Sequence, residues 1–103
     1  MEAADFKVKD LLDATGATTA LTDREKHLVG LAVTLTRGCQ FCTGGRIEKA
    51  LESGIDYETI RSTIDLAAAV NAGVALRTAI QGVEMNGLQE PCTGDLCTTG
   101  VPS

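Results

Sequence analysis

No stretch of this chain alternates apolar and polar residues long enough to make a β-strand, whereas apolar residues recur at helical spacing along most of it. That pattern predicts an all-α fold. Phe6, Val8, Leu11 and Leu12 suggest a short first helix ended by a turn at Gly16, with residues 17–20 as a linker. Thr22 and Glu25 then stand at the spacing of a capping box, in which the hydroxyl accepts from the backbone three residues on and the carboxylate reaches back. Leu28, Leu31, Ala32 and Leu35 follow at helical spacing, and Gly38 closes this second helix. A third helix starts at or near Cys39 and runs through Ile47, Ala50 and Leu51 to Ser53 and Gly54. Asp56 caps a fourth, whose buried stripe is Ile60, Ile64, Ala67 and Ala68. A break is expected around Asn71, Ala72 and Gly73, before a fifth helix through Val74, Leu76, Ile80 and Val83 that ends at Asn86-Gly87. The expectation is a small helical bundle of about five helices. It forms a single domain over residues 1–88, followed by a flexible cysteine-containing tail over 89–103.

Composition narrows what such a bundle does. Phe6, Phe41 and Tyr57 are the only aromatic residues and there is no Trp, so the core is built from Ala, Val, Leu and Ile with closely packed helices. The stretch from Leu66 to Leu76 is apolar on nearly every face. Asn71, Gly73 and Arg77 interrupt it short of the roughly 20 apolar residues a spanning helix needs, so no membrane is expected. A helix apolar all round is normally buried, and 103 residues offer little interior for it. Subunit contact is the simplest explanation, and a homo-oligomer is expected. The net charge of −5, with no basic stripe, argues against a nucleic-acid partner. Met1-Glu2-Ala3-Ala4-Asp5 has neither the basic nor the apolar segment of a signal peptide. Four cysteines without an export signal point to a reducing cytoplasm, where a cysteine pair is more often catalytic or metal-binding than structural.

The chemistry concentrates in Arg37-Gly38-Cys39-Gln40-Phe41-Cys42-Thr43-Gly44-Gly45-Arg46. Two thiols three residues apart lie on the same side of a helical turn, close enough for a small-ring disulfide. A thiol at a helix N-terminus also feels unpaired backbone N–H groups and the positive end of the dipole, both of which favour thiolate, the nucleophilic form. Arg46 lies four residues beyond Cys42, projects on the same face and adds a fixed positive charge. The functional reading is a dithiol redox site. The competing readings are half of a zinc site, or two buried thiols that never react.

Leu21-Thr22-Asp23-Arg24-Glu25-Lys26-His27-Leu28-Val29-Gly30-Leu31-Ala32-Val33, then Gly38-Cys39-Gln40-Phe41-Cys42, then Ala50-Leu51-Glu52-Ser53-Gly54-Ile55, resembles the carboxymuconolactone decarboxylase-like superfamily. Within it the chain is most similar to the alkyl hydroperoxidase D-like branch, which carries the Cys-x-x-Cys. The match covers about residues 20 to 87. The resemblance implies an all-helical fold, assembly as trimers or hexamers, and reduction of peroxides or disulfides by a dithiol that an external thiol donor recharges. It calls for no cofactor. It also implies Cys42 as the attacking thiolate and Cys39 as its resolving partner.

Two positions depart from the family pattern, which places a glutamate twelve residues before the first cysteine and a histidine four after the second. Here they are His27 and Arg46. Arginine stays protonated and cannot act as a general base, so no carboxylate–imidazole relay of the family type forms from these two side chains. One reading is a rearranged site, with Arg46 holding Cys42 as thiolate and His27 moving protons. The other is that His27 is a surface or packing residue and peroxidase activity has been lost. Glu25 falls on another face of the helix and is not given the relay role.

The tail from Glu90 to Ser103 is rich in Gly, Thr and Pro and reads as loop. Its Cys92 and Cys97 admit three readings: a second dithiol relaying electrons to Cys39 and Cys42, a four-cysteine zinc site, or a local pair of no consequence. The class opposed to an oxidoreductase is a non-catalytic assembly or zinc-binding module of the same superfamily. Lactone decarboxylation is a weaker third, because the cysteine pair marks the redox branch.

Overall fold

The computed structural model describes residues 1–89, and these are helical with no strand among them. A 3₁₀ turn at Ala3–Asp5 is followed by α1 (Val8–Gly16), α2 (Asp23–Arg37), α3 (Gln40–Glu52) and α4 (Tyr57–Met85). The tail from Glu90, with Cys92 and Cys97, lies outside the described residues.

Two compact units divide the chain, residues 1–65 and 66–103. In the first, Leu31, Ala50, Ile55 and Ile60 are buried, and Leu28, Leu35, Ile47, Leu51 and Ile64 pack against them. Apart from Ile55, which lies in the connection between α3 and α4, these fall on one face of α2, one of α3 and the start of α4, as helical spacing predicts. The α1 helix buries no residue, and Val8, Leu11 and Leu12 remain exposed. The stripe expected on the fourth helix ends earlier than its spacing suggests: Ala67 is half-buried and Ala68 exposed.

Local chemistry sets the helix ends. The Thr22 hydroxyl accepts the Glu25 N–H at 3.1 Å and the Glu25 carboxylate accepts the Thr22 N–H at 2.8 Å, which completes the capping box. At the other end of α2 Gly38 takes φ 80°, a left-handed conformation that closes the helix. The Gly38 and Cys39 N–H groups donate back to the Leu35 and Thr34 carbonyls. Asp56 accepts the Thr59 N–H at 2.9 Å at the start of α4, and Arg24 donates to the Thr59 hydroxyl at 3.1 Å, tying the starts of α2 and α4 together.

Both capping carboxyls are held below the usual carboxylate range. Glu25 is lowered by its hydrogen bonds with the Thr22 backbone and side chain, and Asp56 by those with the Thr59 side chain and backbone. Folding therefore favours their charged forms, a contribution present above their ordinary pKa and lost as pH falls through the lowered one. The expected result is a melting temperature flat near neutrality that declines below about pH 4. Glu25→Gln combined with Asp56→Asn flattens that decline, as followed by circular dichroism.

The break expected at Asn71–Gly73 is absent. One helix runs unbroken from Tyr57 to Met85, so four α-helices stand where about five were expected. A glycine in a helix interior costs about 1 kcal/mol relative to alanine, which weakens a helix without ending it. No proline is present between Tyr57 and Met85, Gly73 keeps a negative φ, and the surrounding alanines and leucines are strong helix formers. The helix stops where Gly87 takes φ 63°.

By length and composition α4 is also apolar enough to cross a membrane, with mean hydropathy 1.2 over its most apolar 18 residues and none of that stretch buried. Core helices of soluble proteins pass the same test. In the second unit Leu66, Val70, Val74, Leu76 and Val83 are exposed.

Candidate functional site

The site begins with the way α2 hands over to α3. Because Gly38 turns the chain in the left-handed region, Cys39 follows in an extended conformation, φ −86° and ψ 98°, and becomes the N-cap of α3. Its sulfur takes the part usually played by a serine or aspartate oxygen and accepts the Cys42 backbone N–H at 3.2 Å. The Cys39 carbonyl accepts both the Thr43 N–H at 2.9 Å and the Thr43 hydroxyl at 2.7 Å. Cys42 thus falls one turn into the helix start, with its Cα 5.3 Å from that of Cys39, and a disulfide joins the two sulfurs.

This arrangement treats the two cysteines differently. Cys39 is half-buried, Cys42 is exposed, and Phe41 between them is 94% exposed. A donor N–H and the positive end of a helix both favour an anion, and in the capping position they act directly on Cys39. An open groove of about 490 Å³, lined mainly by Leu35, Gln40, Thr43, Gly44 and Ile47, reaches Gly38 and Cys39; Cys42 does not line it. Cys42 instead faces solvent.

Arg46 and His27 are both half-buried, on α3 and α2 respectively. The Arg46 side chain crosses to α2 and lays its guanidinium against the backbone of Gly30. A Cβ built on that glycine would lie 2.5 Å from Nη1, 2.7 Å from Cζ and 3.0 Å from Nε. His27 lies one helical turn before Gly30 on α2, which puts the residue three positions from the guanidinium's resting place. Among the described residues Lys9–Asp13 is the one salt bridge, and no hydrogen bond links His27 to Arg46 or to either cysteine. The structure therefore brings Cys39 and Cys42 together, seats Arg46 across the α2–α3 interface, and leaves His27 adjacent without a bonded role. Glu25 is engaged in capping Thr22.

Two contributors escape a reading of the sequence. Thr43 looks like a neutral helix residue, yet it closes the turn that carries Cys39. Gly30 carries a signal that could have been used, an isolated glycine inside an apolar helical run, which ordinarily marks a close approach. Among the described residues no group of three or more metal-ligating side chains gathers. A zinc site using Cys92 and Cys97 involves positions outside those residues.

The model of the carboxymuconolactone decarboxylase family matches residues 7–84, most of the chain. The protein belongs to that family. No curated protein and no solved structure matches the chain.

Proposed function

We propose that this member of the carboxymuconolactone decarboxylase family is a thiol-dependent oxidoreductase that reduces peroxides or disulfides, in the manner of the alkyl hydroperoxidase D-like proteins it resembles. The observation that carries the reading is the disulfide between Cys39 and Cys42 at the start of α3, with Cys42 open to solvent. In the reduced protein the Cys42 thiolate attacks an oxygen of the hydroperoxide. The O–O bond breaks, the alcohol leaves with a proton supplied by His27, and Cys42 becomes a sulfenic acid. Cys39 then attacks the Cys42 sulfur, the thiol proton of Cys39 goes to the departing hydroxyl, water leaves and the disulfide forms. An external dithiol donor attacks that disulfide and returns both sulfurs to thiols, while the donor is oxidised to its own disulfide.

Arg46, one helical turn beyond Cys42 in sequence, serves this scheme as a cation only when its guanidinium leaves its place against Gly30 and swings back toward the start of α3. A positive charge within about 4–6 Å of a thiol favours its thiolate by roughly 1–3 pKa units. The reading places the protein in a reducing cytoplasm, as a homo-oligomer joined through the exposed residues of α4.

Stoichiometric hydrogen peroxide added to reduced protein tests the proposal. Peptide mapping is expected to find Cys39 and Cys42 linked to each other, with one peroxide consumed per pair. Both residues recovered as free thiols would remove the redox reading.

A further inference from the structure

Between Leu66 and Met85 the α4 helix carries two charged residues, Arg77 and Glu84, and both are exposed. They share one side of the helix. Leu66, Val70, Gly73, Arg77, Ile80 and Glu84 follow one another at alternating steps of four and three residues. That is the spacing of a seam along which two helices pack against each other. Seven residues separate the two charges, about 10 Å along the axis. Within one helix, side chains pair with neighbours three or four residues away, so this distance is too great. Among the described residues neither forms a salt bridge, Lys9–Asp13 being the one such pair.

Gly73 adds a second observation. It lies inside the helix with a negative φ, and a Cβ built on it would find nothing within 4 Å. Its surroundings within the chain therefore do not call for glycine, and alanine would make a better helix. The notch left by its missing side chain opens into a groove of about 470 Å³ that runs past Arg77, with Val70, Val74 and Gln81 on its walls. A notch beside a cation outside any salt bridge fits a carboxylate arriving on another helix. We propose that the second half of α4 packs against the same segment of a second copy, antiparallel, about a two-fold axis near Ile80. Each Arg77 then stands beside the partner's Glu84, and each Glu84 enters the notch at the partner's Gly73. The charges set the orientation. Parallel helices in register would bring like charges together, which repel across a contact, whereas antiparallel helices bring unlike charges together on both sides of the axis. The inference rests on the homo-oligomer read from the exposed residues of α4, and gives that contact a direction and a register.

The experiment compares wild type with Arg77→Glu, Glu84→Arg and the double reversal, by light scattering over a dilution series and by native mass spectrometry. Each single reversal places a like-charge contact on both sides of the axis, and is expected to weaken association at least about a hundredfold. The double reversal restores unlike pairs and associates within about tenfold of wild type. The two single variants, refolded together, form species containing both chains, since each then meets opposite charges on the other. Wild type found as a monomer overturns the homo-oligomer reading and this contact with it. An assembled wild type beside single reversals that associate as tightly overturns the contact and leaves the oligomer standing. Recovery missing from the double reversal, from the mixture or from both overturns the contact as well.

Discussion

Cys42→Ser is expected to lose peroxide and disulfide turnover by at least about a thousandfold, since removal of an attacking nucleophile leaves only binding and positioning to accelerate the reaction. Cys39→Ser fails differently. It consumes one equivalent of peroxide and then stalls, with Cys42 trapped as a sulfenic acid or in a mixed disulfide with the donor. The N-cap geometry makes the choice of replacement matter. Cys39 holds the start of α3 by accepting the Cys42 N–H, and serine, a strong N-cap residue, keeps that bond. Cys39→Ala loses it and costs about 0.5–2 kcal/mol of stability besides the resolving thiol. Comparing the reduced forms separates the two losses: both variants stall, and the alanine variant melts lower. Stopped-flow peroxide consumption by the two single variants is the deciding measurement. A Cys39→Ser protein unable to perform even the first turnover, beside an active Cys42→Ser, would reverse the assigned roles. The hydrogen bond and helix dipole at Cys39 would then identify the attacking thiolate.

Dilution is expected to have an effect of comparable size. The buried core is small, comprising Leu31, Ala50, Ile55 and Ile60. Leu66, Val70, Val74, Leu76 and Val83 stay exposed along α4, at 44–67% of their full surface. Burying a Val or Leu side chain contributes about 1.5–3 kcal/mol, so covering these five is worth on the order of 10 kcal/mol. A second copy of the chain, presenting the same helix, is the proposed cover. Folding is then coupled to association, and each tenfold dilution removes about 1.4 kcal/mol from a dimer and more from a higher oligomer. The melting temperature is expected to fall by several degrees per tenfold dilution between micromolar and nanomolar protein. Val74→Asp, which places a charge in the proposed contact, brings dissociation and loss of helix already at micromolar concentration. Light scattering that finds a stable monomer, with a melting temperature independent of concentration, would dispose of the oligomer. Protein that stays in solution only with detergent or vesicles would turn the exposed face of α4 toward a bilayer.

The parts of this molecule that the sequence announces are those fixed by neighbours within about four residues. The capping box at Thr22 and Glu25, the left-handed stop at Gly38 and the start of α3 at Cys39 are each set by a local hydrogen bond or a single φ. The same holds for the disulfide, whose partners are three residues apart. The break expected at Asn71–Gly73 does not occur because neither a glycine nor an asparagine in a helix interior ends a helix by itself. With no proline and no left-handed φ nearby, the flanking alanines carry the helix through. The Arg46 seat is beyond any local rule, since it joins residues on different helices and rests on a side chain that is absent. His27 shows the same boundary: its place on α2 follows from periodicity, whereas its lack of a bonded partner at the site depends on which side chains α3 sends across.

The handover at Gly38 and Cys39 has a kinetic consequence. The helix that carries the dithiol, α3, follows α2 directly in the chain, so their pairing requires closing only a very short loop. Loops of this kind close on the ten-to-hundred-nanosecond scale, and folds dominated by such local contacts form in microseconds to milliseconds. Docking of subunits is slower and depends on concentration. The turn that brings Cys39 and Cys42 together therefore forms from local contacts alone, without waiting for any contact distant in the chain.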